Sequence, residues 1–440
     1  MTSSRLAAPS APRPSKTHIA QLLTEARERT LLLIAELSDD DLHQQHDPLM
    51  SPIIWDVGHI AHFEELWLTQ NLDGPIEFSE MPGLYNPFEH PRATRASLPL
   101  PTLSQMRARL EEIRRRVLDR LDSLEWNDHN PLLAGGYVYN MVLQHEYQHN
   151  ETILQTLQLK KGQPYNAPRA ITFPRRPIPA GGMVEFEGGR VTIGTADRAA
   201  AYDNERPLHE VEMRPFMIDR NPVTNGRFLD FMMDKGYQRA EFWSDVGHRW
   251  LAESGAIAPK YWSRDGDEWM NQRMDVTTVV DATRPVCHVC YYEAEAFANW
   301  DGKRLPTELE WETAASWDAS KQTASRFPWG DSGADSRIAN VDQLAFDTAP
   351  IGTYSAVSPI GCSGMIGDVW EWTSSDFRGY PGFRSFPYKE YSEEFFGTDY
   401  KVLRGGSWAT RPSAIRNTFR NWDYPIRRQI FSGFRCARDA

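Results

Sequence analysis

The chain has 440 residues, 60 acidic and 48 basic for a net charge of −12, and is 40% hydrophobic and 12% aromatic. That composition excludes a disordered chain, and the acidic balance excludes a general nucleic-acid binder, which needs a basic face for phosphates. The four cysteines, Cys287, Cys290, Cys362 and Cys436, are too few to staple such a chain, and no apolar run approaches the roughly 18 residues of a membrane span. The opening residues lack an apolar signal core, so the expectation is a cytoplasmic protein of two or three domains with neither membrane nor nucleic acid as partner.

Residues 1–16 are rich in Ser, Ala and Pro and are expected as a disordered tail. Residues 17–161 read as a four-helix bundle. Apolar positions recur at three and four, as in Ile19, Leu22, Leu23, Ala26 and then Leu31, Leu32, Ala35. Further helices are predicted over 52–69, over 103–124 with an Arg/Glu-rich outer face, and over 137–159; an up-and-down order is the simplest expectation. The connection 71–101 is long and holds Arg92 and Arg95, and loops of that length are more often functional than idle. Prolines crowd 162–180, which reads as a linker. From 181 to 440 the texture changes to short β-type runs (189–194 and 209–218), isolated helices and Gly/Trp turns. Thr224 or Asn225 can cap a helix over 226–233, and Thr307 with Glu310 forms a capping box for one over 309–315. The fold class is therefore α+β in two domains, a helical bundle followed by an irregular α+β domain.

On the fourth helix, His145 and His149 lie four apart, so both imidazoles leave one face and can ligate a single ion. The same string satisfies H-E-x-x-H, whose usual reading is a zinc hydrolase with Glu146 as general base. Against that reading, nothing nearby supplies a protease-like third ligand, and the helix belongs to a bundle. Two core-packed histidines are the plain alternative; a third histidine on another helix shifts the balance. The second helix offers His59 and His62, either of which could face inward, and Gly58 favours His59 by permitting close helix approach. Three imidazoles would leave positions open on a divalent ion and suit Fe, Zn, Cu and Ni alike.

The strings Gly189-Arg190-Val191-Thr192-Ile193-Gly194, Asn221-Pro222-Val223-Thr224-Asn225, Arg304-Leu305-Pro306-Thr307-Glu308, Gly367-Asp368-Val369-Trp370-Glu371-Trp372-Thr373, Leu403-Arg404-Gly405-Gly406-Ser407-Trp408 and Gly433-Phe434-Arg435 span nearly all of 181–440. They resemble the formylglycine-generating-enzyme-like (sulfatase-modifying-factor) fold, a C-type-lectin-like scaffold that hosts unrelated sites. Thiol-oxidising members carry cysteines shortly after the Arg-Gly-Gly-Ser turn; here Trp408-Ala409-Thr410-Arg411 follows, so sulfatase activation is not expected. Joined to a DinB-like bundle with H-x3-H, this domain resembles the sulfoxide synthases of ergothioneine biosynthesis, the hercynine oxygenases. The resemblance implies non-haem Fe(II) held by His59, His145 and His149, with the Trp55-Asp56-x-x-His59 context choosing His59 over His62. It also implies O2-dependent joining of the sulfur of γ-glutamylcysteine, or of cysteine, to the imidazole carbon of N-trimethylhistidine (hercynine), with oxidation to the sulfoxide.

A trimethylammonium group cannot donate a hydrogen bond, so aromatic faces and negative charge must recognise it. Trp422, Tyr391 and Glu151 offer these if the pocket forms as the resemblance implies, and Gln148 and Asn421 could bind the substrate's imidazole or carboxylate. Arg95 and Arg427 are candidates for the thiol donor's carboxylates and Asp423 for its amine, with Arg92, Arg420 and Arg428 near enough in sequence to compete. By the same resemblance Tyr388 is the catalytic phenol, with Tyr380 and Tyr391 as fallbacks. Cys287 and Cys290 would face opposite sides of a strand, which favours packing over a shared site. The expected partners are small molecules acting on a monomer. The rival readings are a zinc-dependent hydrolase built on His145, Glu146 and His149, and a non-catalytic binding module.

Overall fold

A computed structural model describes residues 14–73, 83–174, 177 and 181–440. The expected tail, up to residue 13, and residues 175–176 and 178–180 of the expected linker lie outside the described residues. One compact unit holds the described residues through Gly162 together with Thr195–Pro207 and Phe383–Lys389; the rest of the described chain forms the other.

The first unit is built on four helices: α1 (Lys16–Leu33), α2 (Ile53–Glu65), α3 (Leu103–Ser123) and α4 (Tyr137–Gln158). Each start has a local cause. Ser15 accepts from the His18 amide at the head of α1, and Thr102 with Gln105 closes a reciprocal capping box at the head of α3. Gly135 and Gly136, at φ 63° and 79°, turn the chain through the left-handed region into α4, a conformation side chains resist. Of the 13 residues of α2, 12 are buried, so this helix is covered all round and not along one stripe. Its expected continuation to residue 69 is present but changes character: Leu66–Gln70 is a π-helix.

Around the bundle, α1 packs against α4 and α3, and α2 packs against those same two helices. The ring order is thus α1–α4–α2–α3, in place of the serial order of an up-and-down bundle. The long stretches between the first three helices give the chain room to cross. One charged residue from each helix meets in the interior: Arg27 donates to Glu64 at 2.5 Å and to Glu146 at 2.9 Å, and Arg114 donates to Glu64 at 2.7 Å. Burial alone would raise the Glu64 carboxyl, but Arg27 and Arg114 hold it below the usual range.

The second unit has the mixed short elements that its composition predicts. Phe216–Asp219 lies between Met183–Phe186 and Ala437–Asp439 in an antiparallel sheet, and Gly189–Ile193 pairs with His209–Met213. The expected run 209–218 is two strands because Pro215, which lacks an N–H, falls between them. A four-stranded sheet runs in the order Asn421–Asp423, Lys401–Arg404, Trp370–Asp376, Ser432–Gly433. Thr224, not Asn225, caps helix α5 (Asn225–Met233), while α6 spans Asp245–Ser254, α7 Tyr291–Trp300 and α8 Glu308–Ser316 behind the Thr307/Glu310 capping box. Buried pairs Arg404–Glu312, Arg420–Glu308 and Arg435–Glu371 tie strands and loops to this framework. The described part of the Pro-rich stretch is no free tether: the Ala170 amide donates to Leu344 O at 2.7 Å, and Arg169 pairs with Asp275 at 2.6 Å. The segment around Cys287 is not the strand expected. His288 sits at φ 66° and Cys290 is the N-cap of α7, and both thiols are free.

Candidate active site

His59 on α2 and His145 and His149 on α4 converge inside the first unit. One candidate ligand atom from each lies within 4.8 Å of the others, and Nε2 of His59 is 3.2 Å from Nε2 of His145. Burial first, and then the neighbouring imidazoles, hold His59 and His145 well below their ordinary pKa, so both are neutral at pH 7. Each can then present a lone pair. For His59 the tautomer follows from its partner: Nδ1 is 2.9 Å from the Tyr85 carbonyl, which can only accept, so Nδ1 carries the proton and Nε2 the lone pair. His149 Nδ1 stands 3.3 Å from Asp56 Oδ1, with no hydrogen bond between them.

Two buried, neutral imidazoles with ring nitrogens 3.2 Å apart and a third beside them have the donor chemistry and the spacing of a cation cradle. The donor set suits a divalent transition metal, and three histidines leave further coordination positions for small molecules. Among the described residues one other cluster could be considered, Asp219, Asp301 and Cys436, but Lys303 already bridges both carboxylates at 2.7 and 2.8 Å. His62 stays outside the triad, with its Nε2 buried and in no hydrogen bond.

The surroundings of the triad were only partly legible. Gly58 does not admit a helix, as the sequence suggested; a methyl group there would lie 2.1 Å from the Tyr85 ring, so the glycine makes room for the connection that returns over α2. Trp55 stacks on His59 (5.1 Å, 9°), and Phe63 stacks on His145 (3.7 Å, 11°). The roles of Asp56, Tyr85 and Phe63 were missed because their partners, His149, His59 and His145, are distant in sequence; the signals available were Asp56 three residues and Trp55 four residues before His59, on the same face of the helix.

Tyr388 lies in the same unit, with its ring stacked on Trp67 (5.1 Å, 23°) and edge-on to Phe63 (6.3 Å). Trp67 is carried by the π-helix, an element common at functional sites. Phe63 therefore touches both His145 and Tyr388. The fallback Tyr380 belongs to the other unit, where it donates to Glu312 at 3.3 Å. Arg95 is buried, donates to Ser51 Oγ at 2.7 Å and His90 O at 2.8 Å, and lies 3.6 Å over the Trp55 ring. Burial pushes its pKa down to about 10, which still leaves it charged at neutral pH. Gln148 is half-buried and Glu151 buried, one and two turns beyond His145 on α4.

Glu146 does not fit the hydrolase reading. Its carboxylate accepts from Arg27 at 2.9 Å and from Thr30 at 2.7 Å in the bundle interior, on another face of the helix from its two histidine neighbours. A general base committed to that ion-pair group is poorly placed to activate water at the triad.

The remaining candidates lie in the second unit, around the edge strand Asn421–Asp423. Trp422 stacks on Phe377 (4.1 Å, 8°) and meets Tyr391 edge-on (5.8 Å, 88°). Asp423 Oδ1 is 3.2 Å from Arg427 Nε. The competing arginines are engaged elsewhere: Arg420 chelates Glu308 with two bonds of 2.8 Å, and Arg428 pairs with Glu293 at 2.9 Å. Arg92 is exposed.

Comparison with known proteins decides the family. Residues 22–153 match the DinB superfamily, and residues 169–440 match the sulfatase-modifying factor enzyme 1-like domain. The chain is 44% identical to a hercynine oxygenase of Mycolicibacterium thermoresistibile, over 97% of this chain and 96% of that protein. The chain belongs to the hercynine oxygenase family. Identity to the Mycobacterium tuberculosis hercynine oxygenase is 43%, over 97% of this chain and 99% of that one. A formylglycine-generating enzyme of Streptomyces coelicolor is 32% identical over 60% of this chain and 91% of its own length. Membership of the hercynine oxygenase family makes this protein an oxidoreductase, an oxygenase with small-molecule substrates, and its two-domain α+β architecture is that of a DinB-like bundle and a formylglycine-generating-enzyme-like domain. No helix among the described residues is long and apolar enough to cross a membrane.

Proposed function

We propose that this chain is an Fe(II)- and O2-dependent sulfoxide synthase of ergothioneine biosynthesis, acting in the cytoplasm as a monomer. It joins the sulfur of γ-glutamylcysteine, or of cysteine, to the imidazole carbon of hercynine. The observation that carries the reading is the convergence of His59, His145 and His149, with the tautomer of His59 set by the Tyr85 carbonyl, in a chain of this family. Bound iron would supply a redox centre at which a thiolate and O2 are brought together. The balance of the reaction is simple: the S–H and C–H hydrogens are lost, and O2 accepts four electrons. One oxygen atom ends in the sulfoxide and the other in water.

The protein's own part is to bind, orient and move a proton. Tyr388, held between Trp67 and Phe63, supplies from its phenol oxygen the proton that oxygen reduction requires. Trp422 with Tyr391 offers the aromatic faces that a trimethylammonium group needs, and Glu151 the negative charge. Gln148 and Asn421 bind the polar groups of hercynine. Arg95 and Arg427 pair with carboxylates of the thiol donor and Asp423 with its amine.

The test is anaerobic reconstitution with Fe(II), followed by O2 with hercynine and each thiol in turn. A product mass equal to hercynine plus thiol, less two hydrogens and plus one oxygen, is expected. Thiol oxidation alone, with hercynine returned unchanged under every thiol, would overturn the proposal.

A further inference from the structure

The connection between α2 and α3 does more than join two helices. Over residues 83–97 it makes four separate contacts with the helix that carries His59. The Tyr85 carbonyl accepts from His59 Nδ1 at 2.9 Å, and the Leu84 carbonyl accepts from Trp55 Nε1 at 2.8 Å. Arg95 lies 3.6 Å over the face of Trp55 and anchors itself through Ser51, just before α2, and through His90 O within the connection. The Tyr85 ring occupies the space left by the absent side chain of Gly58, one residue from His59. Trp55 itself stacks on the His59 ring, almost parallel to it.

An imidazole on a helix has two torsions to fix before its lone pair points at one place. A hydrogen bond to Nδ1 and a stack on the ring face fix both. Both restraints on His59 are set by this one segment: the bond comes from its backbone, and the stacking indole is held by its Leu84 carbonyl and by its Arg95. His145 has no equivalent arrangement, since its stacking partner Phe63 belongs to α2.

We propose that residues 83–97 act as a latch on His59, so that seating of this segment and metal binding at the triad are one coupled equilibrium. Trp55, Tyr85 and Arg95 are positioning residues in this scheme. The inference rests on the reading of the triad as a metal centre. Coupling of this kind is reciprocal: a seated latch raises metal affinity, and bound metal stabilises the latch by the same factor. Groups that orient metal-bound histidines change affinity by about ten- to a hundredfold when removed.

The experiment uses Co(II) under nitrogen, whose visible d–d bands report coordination by the histidines without turnover. In the full-length wild-type protein, hydrogen–deuterium exchange of peptides covering residues 83–97 is expected to slow several-fold on Co(II) binding, while peptides from the middle of α3 are unchanged. Gly58→Ala, which drives a methyl group into the Tyr85 ring, is expected to weaken Co(II) binding at least about tenfold, to alter the d–d spectrum and to leave exchange in 83–97 fast. Arg95→Lys, which keeps the charge but loses the planar fork over Trp55, guards against misfolding in the first variant and is expected to weaken Co(II) binding by a smaller factor. Co(II) binding with unchanged exchange in 83–97, or wild-type affinity and spectrum in both variants, would overturn the latch alone. Failure of the wild-type protein to bind Co(II) would overturn the metal-centre reading and the latch with it.

Discussion

Two polar clusters lie inside the same helical unit and share one turn of α4, yet they are built on opposite principles. Glu146 joins Arg27, Glu64 and Arg114 in a group whose charges cancel, two cations against two anions. His145 and His149, on either side of it in sequence, join His59 in a group of like donors that have no counter-ion among themselves. In the first cluster each carboxylate has an arginine, so its charges are met within the group. The second brings three ligating nitrogens to one buried place with one N···N contact of 3.2 Å as its internal link, and no charge of either sign within the group. The first cluster pairs opposite charges and so belongs to the architecture, while the second gathers metal-ligating groups of one kind and so belongs to chemistry.

The largest test of this contrast is removal of a triad histidine. His145→Ala is expected to reduce C–S coupling at least about a hundredfold, and to lower the urea midpoint of unfolding less than loss of an arginine from the ion-pair group does, since it opens a cavity against Phe63 but strands no buried charge. Coupling measured by product mass at wild-type rate would contradict the assignment. Next comes the architectural cluster. Arg27→Met leaves Glu146 and Glu64 short of a cation in the interior and is expected to cost about 3–5 kcal/mol in urea unfolding, with metal stoichiometry of the folded fraction preserved. A change under about 1 kcal/mol would mean that the cluster is not the keystone described.

Tyr388→Phe sharpens the same division at the edge of the site. Thiol binding is expected to survive nearly intact while coupling is suppressed, because the ring still fills its place against Trp67 and Phe63 and only the phenol proton is lost. An unchanged sulfoxide yield would remove Tyr388 from the reaction. The smallest effect concerns acid. Glu64 has a folded-state pKa below its unfolded value near about 4.3, so its contribution to stability is full above that pH and is lost as pH falls through the folded value. Stability measured between pH 7 and pH 3 should therefore fall less in Glu64→Gln than in wild type, from a lower starting point.

Much of this was legible in the sequence, and the exceptions have physical reasons. The pairing of His145 with His149 follows from helix geometry, and the Thr307/Glu310 box is a local pattern, so both could be read along the chain. Glu146 could not be sorted from its neighbours, because H-E-x-x-H says nothing of which helix each face meets. Arg27, Glu64 and Arg114 supply that answer from three other helices. Gly58 announced a close approach but not of what, and only the fold shows the Tyr85 ring there. The arginines 420, 427 and 428 are alike in sequence, and their roles separate only when Glu308 and Glu293 are seen to hold two of them. The ring order of the bundle depends on connections long enough to cross, which spacing alone does not decide.

The central claim is that the three histidines, and not the neighbouring carboxylates, hold the metal. Anaerobic titration with Fe(II), read as bound iron per chain, tests it most directly across wild type, His59→Ala and Glu146→Gln. The account predicts one iron per chain in wild type and in the folded fraction of Glu146→Gln, and none held tightly in His59→Ala. Iron retained by His59→Ala but lost from Glu146→Gln would contradict it.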